Sequence, residues 1–225
     1  PLLIGAVWKG GGSIHNTISE VLPEAGVQDN WYAKRVLVPF GEYVPFPFKW
    51  IPGVRKLVGP VGSFKEGSEV KTFSVHSKKN EDSTLKIGPL ICYEDIFPRL
   101  CRETALAGVD LFFVTTNDAW FGREGCAEQH AAHSVLRAIE TQRPFLRCGN
   151  AGWSGWIDSN GYQREVLRNE EGSIYFEGAT TLSITINQNQ LSKASFYVRY
   201  GDWFAYVCVF LTLVSLPFVL RKKRN

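Results

Sequence analysis

An apolar run from Leu85 to Ile91 ends at Cys92, and two carboxylates, Glu94 and Asp95, follow almost at once. Bounded by Ser83 and Thr84 on one side and acids on the other, the run reads as a buried strand. Ile96 to Gly108 reads as a helix, and Asp110 to Thr116 as a second near-continuous apolar strand, the kind found in a sheet buried on both faces. This order predicts a layered α/β domain with Cys92 at the carboxyl end of a central strand and a helix opening beyond it. Such a place suits a nucleophile. A cysteine taken alone is more often a buried structural residue.

The remaining segments fit around that unit. Pro1–Trp8 is an apolar strand closed by a Lys9–Gly12 turn, and Ile14–Val21 a partly alternating one. Pro23–Asn30 is polar and turn-rich, and Arg35–Pro39 a short strand. Five prolines and four glycines make 39–63 a long loop, with Phe46, Phe48, Trp50 and Ile51 more apolar than a solvated loop needs. Those side chains either pack on the core or face lipid. Glu66–His76 is a candidate strand pair, Ser77–Ser83 a charged hairpin tip, and Asn117–Gly125 a loop. Ala131, Val135, Ala138, Ile139 and Gln142 recur at helical spacing across Ala127–Gln142, which Pro144 stops. Leu146–Cys148, Ser154–Ile157, Gly161–Val166 and Leu182–Ile186 supply closing strands.

Charge placement excludes some functions. The net charge is +3, yet four of the 25 basic residues lie among the last five, Arg221, Lys222, Lys223 and Arg224, so the rest is near neutral. No nucleic-acid surface follows from this composition. The five cysteines form no Cys-x-x-Cys pair, which argues against a disulfide framework or a zinc site. His130 and His133 have only a weak metal-pair spacing, with no cluster to complete it, so no metal is assigned. Trp203–Leu220 carries no charge, and eighteen helical residues at ~1.5 Å each span roughly 27 Å, close to a bilayer core. With basic residues following it, a transmembrane helix with a cytoplasmic C-terminus is expected. The chain has no methionine and starts inside an apolar run, so it reads as the carboxyl-terminal portion of something longer.

Three further stretches accompany the cysteine: Tyr32-Ala-Lys-Arg-Val-Leu-Val-Pro-Phe-Gly-Glu-Tyr-Val-Pro-Phe46, Thr116-Asn-Asp-Ala-Trp-Phe-Gly122 and Arg143-Pro-Phe-Leu-Arg147. With Ile91-Cys-Tyr-Glu94 and the apolar tail after Gly201-Asp-Trp203, they make nearly the whole chain resemble the nitrilase, or carbon-nitrogen hydrolase, superfamily. Within it the chain resembles the bacterial apolipoprotein N-acyltransferase branch. The resemblance implies an αββα sandwich, incomplete at the N-terminus. It implies a catalytic domain over 1–200, a transmembrane helix over 203–220 and a basic cytoplasmic tail over 221–225, with the domain on the periplasmic side of the inner membrane.

The resemblance also implies roles. Cys92 is the nucleophile, and Lys34 lowers its pKa and, with the Tyr93 N–H, holds an oxyanion. Glu42 positions Lys34, Glu94 has a similar supporting place, and Asn117, Trp120 and Phe121 line the pocket. The general-base glutamate is expected upstream of residue 1, since Glu24 lies in a turn-rich segment only ten residues before Lys34. The polypeptide is therefore expected to be inactive alone. The implied partners are a phospholipid acyl donor, a diacylglyceryl apolipoprotein acceptor and the membrane, with no cofactor. A small-substrate amidase or carbamoylase, which has no use for Trp203–Leu220, and an inactive membrane-tethered binding domain are the alternatives.

Overall fold

The computed structural model describes residues 1–54, 64–76, 84–123, 125–187 and 193–222, with burial of the last helix described as far as Pro217. The expected hairpin tip at 77–83, the loop residues 55–63 and the side chains of the basic tail lie outside them.

Among the described residues the strands form two sheets. The first is an antiparallel meander of β1 (Leu2–Gly10), β2 (Ser13–Leu22) and β3 (Gly26–Ala33). The second runs in the order β4 (Phe73–His76), β5 (Thr84–Ile91), β6 (Leu111–Asn117), β7 (Phe145–Asn150), β8 (Gly155–Ile157) and β9 (Gln163–Val166). Its centre, β5–β6–β7, is parallel, and its margins are antiparallel. Crossover helix α1 (Pro98–Leu106) joins β5 to β6, and α2 (Cys126–Thr141) joins β6 to β7. The short α3 (Phe196–Tyr200) and the terminal α4 (Trp203–Lys222) follow.

Two apolar clusters explain the layering. Ile18 and Tyr32 of the first sheet meet Phe73, Ile87 and Ile91 of the second. On the other face of the second sheet, Phe112, Val114 and Phe145 pack against Cys101 and Ala105 of α1 and Ala127, Ala131 and Ala138 of α2. Small helix residues let the helices settle close. At Gly88 a Cβ would stand 2.6 Å from Thr104 Cγ2, so α1 can approach β5 only over a residue without a side chain. The described layers are sheet, sheet and helices, three of the four in an αββα sandwich.

Several expectations need correcting. Gly26–Ala33 is a strand, where polar residues had suggested turns; it pairs with β2 and buries Tyr32. Arg35–Pro39 is not a strand, because the amides of Arg35, Val36 and Val38 donate to Glu94 and Glu42 instead of to a neighbouring strand. Glu66–His76 contributes only β4, and Leu182–Ile186 none. The transmembrane expectation over 203–220 is not supported: among the described residues no helix is long and apolar enough to cross a membrane. Although α4 extends from Trp203 to Lys222, its described side chains end at Pro217.

Candidate active site

The parallel strands β5 and β6 end side by side, Ile91 paired with Thr115, and the candidate residues collect beyond those ends. Cys92 has φ 54°, a left-handed conformation that side chains rarely adopt. The chain therefore turns sharply there and continues as a 3-10 turn over Cys92–Ile96. The thiol is free and half-buried, beside the apolar cluster of Ile18, Tyr32 and Ile91.

Glu94 fastens this turn to the segment that bears Lys34. It is fully buried, and one oxygen accepts from the amides of Arg35 (2.6 Å) and Val36 (3.1 Å). Its other oxygen accepts from the Tyr32 hydroxyl (2.8 Å) and the Ile91 amide (2.8 Å). Burial pushes its carboxyl upward, and these four hydrogen bonds pull the other way. Burial, reinforced by Glu94, raises the Tyr32 phenol well above its usual value.

Lys34 is held by its backbone as well as by its head. Its amide donates to Asn16 O (2.8 Å) and its carbonyl accepts from Gly67 N (2.8 Å). The ammonium, with the residue 1% exposed, donates to Glu42 Oε2 at 2.8 Å and Oε1 at 3.0 Å. Glu42 also accepts from Asn16 Nδ2 (3.0 Å) and the Val38 amide (2.8 Å), so its direction is set on three sides. The ammonium lies 5.0 Å from the centre of the Tyr93 ring, and Tyr93 is next in sequence to Cys92. The Tyr93 hydroxyl donates to Leu37 O (2.5 Å), and burial followed by the nearby Glu42 charge raises its pKa.

The structure thus brings Lys34, Glu42, Tyr93 and Glu94 together around the turn that starts at Cys92. Asn117, Trp120 and Phe121 lie at the end of the neighbouring strand β6. Asn117 Oδ1 accepts from the Ala119 amide (3.3 Å) and Asn150 Nδ2 (3.0 Å), and Trp120 and Phe121 stand exposed on the Asp118–Phe121 turn. Glu24 sits in the exposed β2–β3 turn.

Sequence reading missed a second set of buried charges on the helix side of the same turn. Asp95 accepts from Ser134 Oγ (2.5 Å) and from the Arg147 guanidinium, and contacts His130 Nε2 (3.1 Å). His130 Nδ1 lies 3.0 Å from Asp118 Oδ1, which also accepts from Thr116 Oγ1 (2.8 Å). Burial opposes Asp95 ionisation, but Arg147 and then His130 overcome it and hold the carboxyl below its usual range. These residues come from four separate stretches, so no local pattern linked them. Among the described residues no group of His, Cys, Asp or Glu could hold a metal ion.

Comparison with known proteins fits this arrangement. The family model for carbon-nitrogen hydrolases matches residues 3–208. The chain is 37% identical to an apolipoprotein N-acyltransferase of Geobacter metallireducens, over 83% of this chain and 33% of that protein. It is 32% identical to one of Thermotoga maritima, over 93% and 39%. The chain therefore spans only a third to two fifths of the length of these relatives. An amidase from Nesterenkonia sp. shares the fold, with a TM-score of 0.52 at 18% identity, over 73% of this chain and 56% of that one. Motifs, mixed sheet and family model agree: the chain belongs to the carbon-nitrogen hydrolase family, and it is similar there to apolipoprotein N-acyltransferases.

Proposed function

We propose that this chain is the thiol-bearing part of an apolipoprotein N-acyltransferase, with Cys92 as its nucleophile. The observation that carries the reading is the buried Lys34–Glu42 pair set against Tyr93, the residue after the thiol. Cys92 sulfur attacks the ester carbonyl of a membrane phospholipid; an S–C bond forms and the ester C–O bond breaks. Lysophospholipid leaves with the proton taken from the thiol. The α-amine of an N-terminal diacylglyceryl-cysteine on an apolipoprotein then attacks the thioester. A C–N bond forms, the C–S bond breaks, and the sulfur regains a proton.

Each neighbouring group has a part. Lys34 and the Tyr93 amide stabilise the oxyanion of both tetrahedral intermediates. Glu42 keeps Lys34 charged and aimed, Glu94 sets the distance between the two segments, and Asn117, Trp120 and Phe121 border the acyl site. Glu42 and Glu94 each already accept four hydrogen bonds, and both serve to hold neighbouring segments in place. The reading assigns the general base to a glutamate outside these residues and takes the 225-residue chain to be inactive alone.

Both substrates are lipid-anchored, which seats the 1–200 catalytic unit on the periplasmic face of the bacterial inner membrane. Exposed Phe46, Phe48 and Trp50 on the loop, and Phe204, Tyr206 and Phe210 on α4, support contact with lipid. The test is mass spectrometry of the complete protein, this chain together with the part that supplies the general base, after incubation with phospholipid. An acyl adduct on Cys92, released by hydroxylamine and absent from Cys92→Ser, is expected. Hydrolysis of small amides without any such adduct would reject the reading in favour of an amidase.

A further inference from the structure

His130 is 9% exposed and meets a carboxylate oxygen with each ring nitrogen. Ionised carboxylates only accept hydrogen bonds, so both ring nitrogens must donate, and the ring that satisfies this geometry is an imidazolium. One of its partners, Asp95, belongs to the Cys92–Ile96 turn. The other, Asp118, opens the turn that displays Trp120 and Phe121. The charges around the ring balance only when it is protonated: Asp95 and Asp118 against His130 and Arg147, with Ser134 and Thr116 supplying neutral donors. The nearby Arg137, on the same helix as His130, donates to Ile96 O (3.3 Å) and to Glu140.

From this geometry we infer that His130 is a positioning residue, a cationic clamp that joins the Cys92–Ile96 turn to the Asp118–Phe121 turn. Resting on the acyltransferase reading, it would set the nucleophile against the aromatic border of the acyl site. Loss of the proton leaves one nitrogen without hydrogen, lone pair against lone pair about 3 Å away, and a buried surplus negative charge. The two turns should then come apart together. Burial works against the charged ring, but the hydrogen bonds to Asp118 and Asp95 prevail and raise its pKa to about 9, so release falls on the alkaline side.

The test is amide hydrogen exchange on the intact protein from pH 7 to pH 10, corrected for the intrinsic pH dependence of exchange. Exchange in Cys92–Ile96 and Asp118–Phe121 should speed up in parallel through about pH 9, by about tenfold or more, while amides of β2 around Ile18 hold steady. In His130→Gln, whose amide cannot carry the charge, both turns should already exchange fast at pH 7 with no further rise. The pH series on the unaltered protein needs no substitution and stands even if the variant fails to fold. Constant protection through pH 10, or loosening of one turn alone, would overturn the clamp. Joint loosening without a lipid adduct on Cys92 would uphold the clamp and reject the acyl-transfer reading.

Discussion

Glu94 and Asp95 are neighbours in sequence and both fully buried, yet they anchor opposite sides of one turn by different chemistry. Glu94 reaches toward the three-stranded sheet and accepts three backbone amides and a phenol, all neutral donors. Asp95 reaches toward α2 and β7 and meets a guanidinium, a hydroxyl and an imidazole. Burial wins at Glu94, whose carboxyl is raised; the cations win at Asp95, whose carboxyl is lowered. A turn that has to hold a thiol in place is thus tied on one side by backbone geometry and on the other by charge. Only the second tie depends on alkaline pH within an accessible range.

The largest expected effect comes from breaking the charged side. Arg147→Leu leaves Asp95 buried beside too little positive charge and should cost about 3–5 kcal/mol, read from denaturant unfolding. A loss below about 1 kcal/mol would mean that the network relaxes, and the contrast with Glu94 would weaken.

Glu94→Gln comes next. Its amide NH₂ must face donors at one of the two oxygen positions, which should cost about 1–3 kcal/mol. It should also slow Cys92 acylation, because Arg35 and Val36 lose their anchor. Acylation at the original rate in the folded variant would make Glu94 a stabilising residue only.

His130 has a raised pKa, so its stabilisation is complete below about 6.5 and disappears as pH rises through about 9. Asp95 has a lowered pKa, so its share is present above about 3.9 and lost on further acidification. The melting temperature of the native protein should fall on both flanks, whereas His130→Gln should lose the alkaline step alone.

The smallest effect on stability belongs to the exposed loop. Phe46→Ala with Trp50→Ala removes an edge-on aromatic pair from the surface and should cost little, about 0.5 kcal/mol per site. Binding to phospholipid vesicles and turnover should nevertheless drop. Unchanged values for both would detach this loop from the lipid.

By itself the sequence carried the strand–turn–helix around Cys92, the apolar central strands and the motif residues Lys34, Glu42 and Glu94, because each rests on local periodicity or on a long contiguous pattern. It misjudged Arg35–Pro39, whose apolar residues look like a strand although the backbone donors go to two carboxylates, and Gly26–Ala33, whose polar residues conceal pairing with β2. Only the tertiary structure decided which way Glu94 and Asp95 point and what each one meets. The partners of Asp95 stand at positions 130, 134 and 147, on a helix and a strand. A buried charge is satisfied by whatever folding carries within hydrogen-bonding reach, and that distance through space has no counterpart in spacing along the chain.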